Sequence, residues 1–151
     1  MHSQDTGLFY FCMVKKLTLG KEERLKSRKL IDQLFKEGRS FTVFPFRVYY
    51  LFHPIQTLRT NDHLLQFGVG VSTRNFKHAV DRNRVKRLSR EAYRLQKLPF
   101  QELVQSKQLP VAVFVIYTGK ELPAYAVVSE KIAVILKRLI KAADEIPPTV
   151  T

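Results

Sequence analysis

Arg82-Asn83-Arg84-Val85-Lys86-Arg87-Leu88-Ser89-Arg90-Glu91-Ala92-Tyr93-Arg94 reads as a helix with one cationic side. At about 100° per residue, Arg82, Asn83, Lys86, Arg87, Arg90 and Arg94 fall within an arc of about 140°. Val85, Leu88, Ala92 and Leu95 fall within an arc of about 80° on the other side. One side can pack on a core while the other meets phosphate. Solvated charged faces interleave both signs, yet Glu91 is the only acid from position 82 to 97. The row therefore repels itself unless a polyanion lies against it.

A strand is predicted on each side of this helix. Over 64 to 72, Leu65, Phe67, Val69 and Val71 point one way, towards a core, while Gln66, Gly68, Gly70 and Ser72 point the other. The second set leaves backbone nearly bare, which serves either close approach of a ligand or close packing of another element. After the helix, residues 98 to 110 read as a Pro-bounded connection. Residues 111 to 117 are a continuous apolar run, the pattern of a central strand buried on both faces.

Further out, Ser27 caps a predicted helix over 28 to 37, with Leu30, Ile31, Leu34 and Phe35 at helical spacing and Gly38 as its stop. Residues 41 to 52 are aromatic and β-branched, and Pro45 confines them to an edge or splits them. In the second piece Phe46, Val48 and Tyr50 share one face, and Arg47, Tyr49 and Leu51 the other. Residues 54 to 63 make a polar connection. A final helix over 124 to 143 turns Val128, Ile132, Ile135, Leu136 and Leu139 inward and Lys131, Lys137, Arg138 and Lys141 outward. The order α-β-β-β-α-β-α predicts an α+β sandwich, with helices laid on one mixed sheet of about four strands.

The chain has 151 residues, 45% of them hydrophobic, and no Gly/Ser or Pro-rich linker, so one domain with a single core is expected. Its 26 Lys+Arg against 13 Asp+Glu give a formal net charge of +13, which concentrates polyanions around it. Nucleic acid is favoured over membrane, because the basic helix lacks the Trp, Phe and Leu face of an interfacial anchor. No apolar run approaches the roughly 20 residues of a membrane span. The lone Cys12 excludes an internal disulfide framework and a Cys-based zinc site, and fits a reducing compartment, the cytoplasm by default.

Residues 8 to 14 are apolar but short, with no Lys or Arg before them and no cleavage site after them, which makes a poor signal peptide. Met13 is followed by a basic, ordinary beginning, so residues 1 to 12 are expected to be an upstream extension from a misplaced start codon. The domain is expected over 22 to 143, behind a flexible segment 1 to 21 and before a disordered tail 144 to 151.

Gly68-Val69-Gly70-Val71-Ser72, then Ala79-Val80, then Arg82-Asn83-Arg84-Val85-Lys86-Arg87-Leu88 with Arg90-Glu91-Ala92, closely resembles the signature of the bacterial ribonuclease P protein subunit. Arg24-Leu25, Leu34-Phe35 and Gly38 agree with it upstream. The resemblance covers about residues 22 to 141. It implies a fold like the second domain of the fifth small-subunit ribosomal protein, with a left-handed βαβ crossover through the basic helix, where general rules favour the right-handed form. It also implies a role. The chain would bind a catalytic RNA and the single-stranded 5′ leader of precursor tRNA, while that RNA and its bound Mg²⁺ remove the leader. No catalytic residue and no metal ligand is then expected on the chain, and neither membrane nor DNA is an expected partner.

By the same resemblance, Phe35 and Tyr49 match positions lining the leader cleft, and Arg47, on the strand face it shares with Tyr49, is placed with them; Phe35 at its helical spacing equally suits a core. Arg82, Asn83, Lys86, Arg87, Arg90 and Arg94 would border the cleft or grip RNA phosphates, with Asn83 also suited to capping. Arg84 lies off the main cationic arc, for another RNA element or for solvent. Arg74 and Lys77 add electrostatic affinity ahead of the helix, and Phe76 either stacks or packs. Two departures stand in this loop: Ser72-Thr73-Arg74 replaces consecutive lysines, and Lys77-His78 replaces a frequent glycine.

Two other readings compete. A nuclease in its own right would need His53, Asp62 and His63, but no further carboxylate or His completes a ligand spacing. A ribosomal or assembly protein that binds rRNA would share the charge and the fold type.

Overall fold

The computed structural model describes residues 19, 23–52 and 64–146. The expected extension over 1 to 12, the connection 54 to 63 with His53, Asp62 and His63, and the last five residues of the tail lie outside them.

Helix α1 (Arg28–Glu37) begins where expected, with the Ser27 hydroxyl accepting from the Leu30 amide at 3.4 Å. Gly38 ends it by donating its N–H to the Leu34 carbonyl. Pro45 splits the aromatic run into strands β1 (Arg39–Val43) and β2 (Phe46–Phe52), which pair antiparallel as a hairpin around a cis Phe44–Pro45 bond. Strand β3 (Leu65–Val71), helix α2 (Ala79–Gln96), helix α3 (Leu98–Lys107), strand β4 (Val111–Tyr117) and helix α4 (Tyr125–Asp144) follow. The sheet order is β1-β2-β4-β3, mixed, with β4 antiparallel to β2 and parallel to β3.

Helices cover both faces of this sheet. On one face Phe46, Val48, Phe67, Val69, Val113 and Val115 pack under α2, α3 and α4, which contribute Val85, Ala92, Phe100, Val104, Ile132 and Leu139 among others. Among the described helices, α1 alone lies on the other face. Leu30 and Leu34 pack with Leu25 and Ala112 in a second, smaller cluster. All five residues expected to turn inward on α4 are buried.

Three expectations need correction. The stretch 98 to 110 is mostly helix: Pro99 sits in the first turn of α3, where it lacks no needed N–H, and Phe100 and Val104 fill the core. On α2 it is Ser89 and Tyr93 that join Val85 and Ala92 inside, while Leu95 is 47% exposed. Tyr93 lies flat on Phe67, ring centroids 3.8 Å apart, and Ser89 satisfies its hydroxyl by donating to the Val85 carbonyl. Finally, β4 is central but not fully covered on both faces, since Phe114, at the margin of α1, and Ile116 are only half-buried.

The ends of the domain reach further than expected. Leu19 packs against the main core, and Lys107 donates to the carbonyls of Ala143, Asp144 and Ile146, holding the last turn of α4.

Candidate functional site

Two surfaces stand out, one at the outer edge of β3 and one on the open face of the sheet. The first is a groove of about 470 Å³ between α2 and the segment ahead of α1, lined by Leu19, Arg24, Asn83, Arg87, Arg90, Glu91 and Arg94. That segment runs parallel to β3, with an Arg24–Phe67 bridge and a 2.9 Å bond from the Leu25 amide to the Phe67 carbonyl. Residue alternation along it sends Leu25 into the α1 cluster and leaves exposed Arg24 on the α2 side.

The groove gathers like charge. Partial burial, and then the positive charge of Arg24, disfavour the Arg90 cation and push its pKa down. An oxyanion placed between them relieves that repulsion. Glu91 is the one acid among the described residues lining the groove, and Arg94 holds it through a two-pronged ion pair, one arm being Nε donating to Oε2 at 3.2 Å. That hydrogen bond is the main reason its carboxyl sits below the usual range.

The expected cations divide by position. Asn83, Arg87, Arg90 and Arg94 share the groove. Arg84 is exposed outside it, and Lys86 is half-buried on the flank. Arg74 and Lys77 are exposed in the loop before α2, where the Ser72 hydroxyl accepts from the Arg74 amide and Phe76 is buried as packing. Arg82 turns back, donating to the carbonyls of Phe76 and Lys77 at 2.8 and 2.9 Å, so it braces this loop. His78, at the N-cap of α2, makes no side-chain capping bond, and Asn83 lies within the helix.

The second surface is the part of the sheet that α1 leaves open. Pairing registers set Ser40, Tyr49, Phe114 and Gly68 in one row across the strands and Thr42, Arg47, Ile116 and Gly70 in the next. Phe35, 43% exposed on α1, meets Tyr49 edge-on at 4.8 Å and Phe114 at 5.8 Å. The Arg47 guanidinium lies 5.3 Å from the Tyr49 ring centre. Phe35, Arg47 and Tyr49 thus lie together on this face.

Two residues escaped that reading. Phe114 sat inside a run taken as buried on both faces; the glycines at 68 and 70 were the signal, because bare backbone beside it is what a large ring needs. Arg24 carried no chemical signal, since only the strand-like pairing of its neighbours brings it to α2.

Residues 19–140 match the family model for Ribonuclease P. A ribonuclease P protein component from Porphyromonas gingivalis is 36% identical over 129 residues, covering 85% of this chain and 89% of the relative. Another, from Chlorobium phaeobacteroides, is 31% identical over 123 residues, covering 77% and 84%. Among solved structures, RNase P protein from Thermotoga maritima aligns at a TM-score of 0.57 and 26% identity, covering 77% of this chain and 96% of that one. RNase P protein from Staphylococcus aureus aligns at 0.58 and 24% identity over 77% and 94%, a likeness of fold. The chain belongs to the ribonuclease P protein family.

Proposed function

We propose that this chain is the RNA-holding subunit of a ribonuclease P holoenzyme, gripping the catalytic RNA with the α2 groove and the 5′ leader of precursor tRNA with the open sheet face. One observation carries the reading: arginines cluster along α2 in the groove at the β3 edge, and half-exposed rings gather beside Arg47 on the open sheet face. Cations that track phosphate hold RNA of any sequence, and each stacked base contributes about 1 to 3 kcal/mol with little preference among bases. A subunit that accepts many leaders needs that tolerance.

Hydrolysis then falls to the RNA and its Mg²⁺, which activates water and neutralises developing charge. The described donors of the groove do not fit that ion. Glu91 is paired with Arg94, and the other described residues of the groove lining are cationic, amide or apolar, a set suited to phosphate. The same reading assigns the chain to the cytoplasm, with RNA as its partner and neither DNA nor membrane.

The test is cleavage of precursor tRNA at low Mg²⁺ by the cognate RNA, with and without the full chain. Restored leader removal is expected. A ribozyme left idle in the presence of the chain overturns the proposal.

A further inference from the structure

Lys97 is 1% exposed at the junction of α2 and α3, and it is the only charged residue among the fully buried side chains of the described residues. A buried ammonium is costly unless it is paired, and an apolar residue would fill the same space more cheaply. Its Nζ donates to both carboxylate oxygens of Glu23, at 2.9 and 3.0 Å, across 74 positions of sequence. Glu23 immediately precedes Arg24. The pair therefore joins the segment ahead of α1 to the far end of the basic helix.

That segment needs an anchor. Arg24 shares the groove with Arg87, Arg90 and Arg94, and the like charge of Arg90 opposes its approach. On its other side Leu25 is held by the Phe67 carbonyl and by the α1 cluster. Arg24 is thus fixed on both flanks, against the repulsion of the helix it faces. Such preorganisation favours a ligand that would otherwise have to order the segment itself.

We propose that Glu23, clamped by Lys97, is a positioning residue that holds Arg24 opposite Arg90, so that the two guanidiniums converge on one RNA phosphate. The proposal rests on the reading of the α2 groove as an RNA site.

Binding of the full chain to its cognate ribonuclease P RNA, followed by fluorescence anisotropy over a salt series, tests it with Glu23→Gln, Arg24→Ala, the double variant and Arg87→Ala. Losing one charge-assisted phosphate contact weakens binding about tenfold. It also makes the slope of log affinity against log salt shallower by about 0.7 to 0.9. Glu23→Gln and Arg24→Ala should each do this, and the double variant should bind no worse than Arg24→Ala alone, because Glu23 acts through Arg24. A Glu23→Gln chain with the wild-type slope, or a double variant whose losses multiply, overturns the clamp while a weakened Arg87→Ala leaves the groove standing. Wild-type binding by both Arg87→Ala and Arg24→Ala overturns the groove reading and the clamp with it. Where Glu23→Gln loses its fold by circular dichroism, Lys97→Met is read in its place, since it releases Glu23 without burying an unpaired cation.

Discussion

Phe114 stands directly across from Gly68 in the parallel pairing of β3 with β4, and its ring lies over the bare backbone of Gly68 and Gly70. A Cβ at position 68 would come within 2.8 Å of the ring and 3.1 Å of the Leu25 Cβ. Neither neighbour is a loose side-chain tip. Gly68→Ala should therefore destabilise the fold by about 1 to 3 kcal/mol, the usual cost of overpacking. At position 70 the Cβ would crowd only the far edge of the ring, at 2.9 Å, with Ile116 at an ordinary 3.9 Å, and Gly70→Ala should cost less. Urea unfolding measures both, and an unchanged midpoint for Gly68→Ala would refute the packing role.

The same ring forms one wall of the open sheet face with Phe35 and Tyr49. If bases of the leader stack there, Tyr49→Ala should weaken precursor tRNA binding by the holoenzyme by about 1 to 3 kcal/mol. Mature tRNA, which has no leader, should bind as before. Equal losses for both ligands would take Tyr49 out of the cleft.

These predictions draw on features of unequal legibility in the sequence. The strands around the basic helix, the cap at Ser27, the split at Pro45 and the inward row of α4 follow from local chemistry and period, and each is seen. Helix α3 was hidden because Pro99 and Pro110 bracket a weakly amphipathic stretch, and its stop is a left-handed Gln108 in place of a glycine. The wheel put Leu95 inside, but the packing partner on β3 is Phe67, and a flat ring-on-ring contact drew Tyr93 in instead. At the site, cations are readable as a face; which of them are spent internally is not. Arg82 and Arg87 look alike in sequence, and only the three-dimensional return of Arg82 to the loop separates them.

That separation is measurable. Arg87→Ala should weaken RNA binding and lower the salt slope by about 0.7 to 0.9. Arg82→Ala removes the donor from two carbonyls and should lower stability by about 1 to 3 kcal/mol with a much smaller change in slope. Chemical denaturation and salt-dependent binding, run on both variants, separate the two roles. A slope change in Arg82→Ala as large as that in Arg87→Ala would show that Arg82 contacts phosphate after all.

Glu91 opposes the polyanion that its neighbours attract. The hydrogen bond from Arg94 lowers its pKa in the folded chain, so the pair adds stability above the ordinary carboxylate range and loses it as pH falls through the lowered value. Glu91→Gln should therefore be less stable than the parent near neutrality, with the gap closing in acid. RNA binding should move the other way. Removing the negative charge leaves Arg94 available to phosphate, so Glu91→Gln should bind RNA more tightly at neutral pH, with a steeper salt slope. Protonating Glu91 in the parent has the same effect on the groove, so parent affinity should rise towards that of Glu91→Gln as pH drops. Paired thermal melts and binding isotherms across pH check both signs, and a variant that binds RNA no better than the parent at neutral pH would mean that Arg94 serves only to hold Glu91.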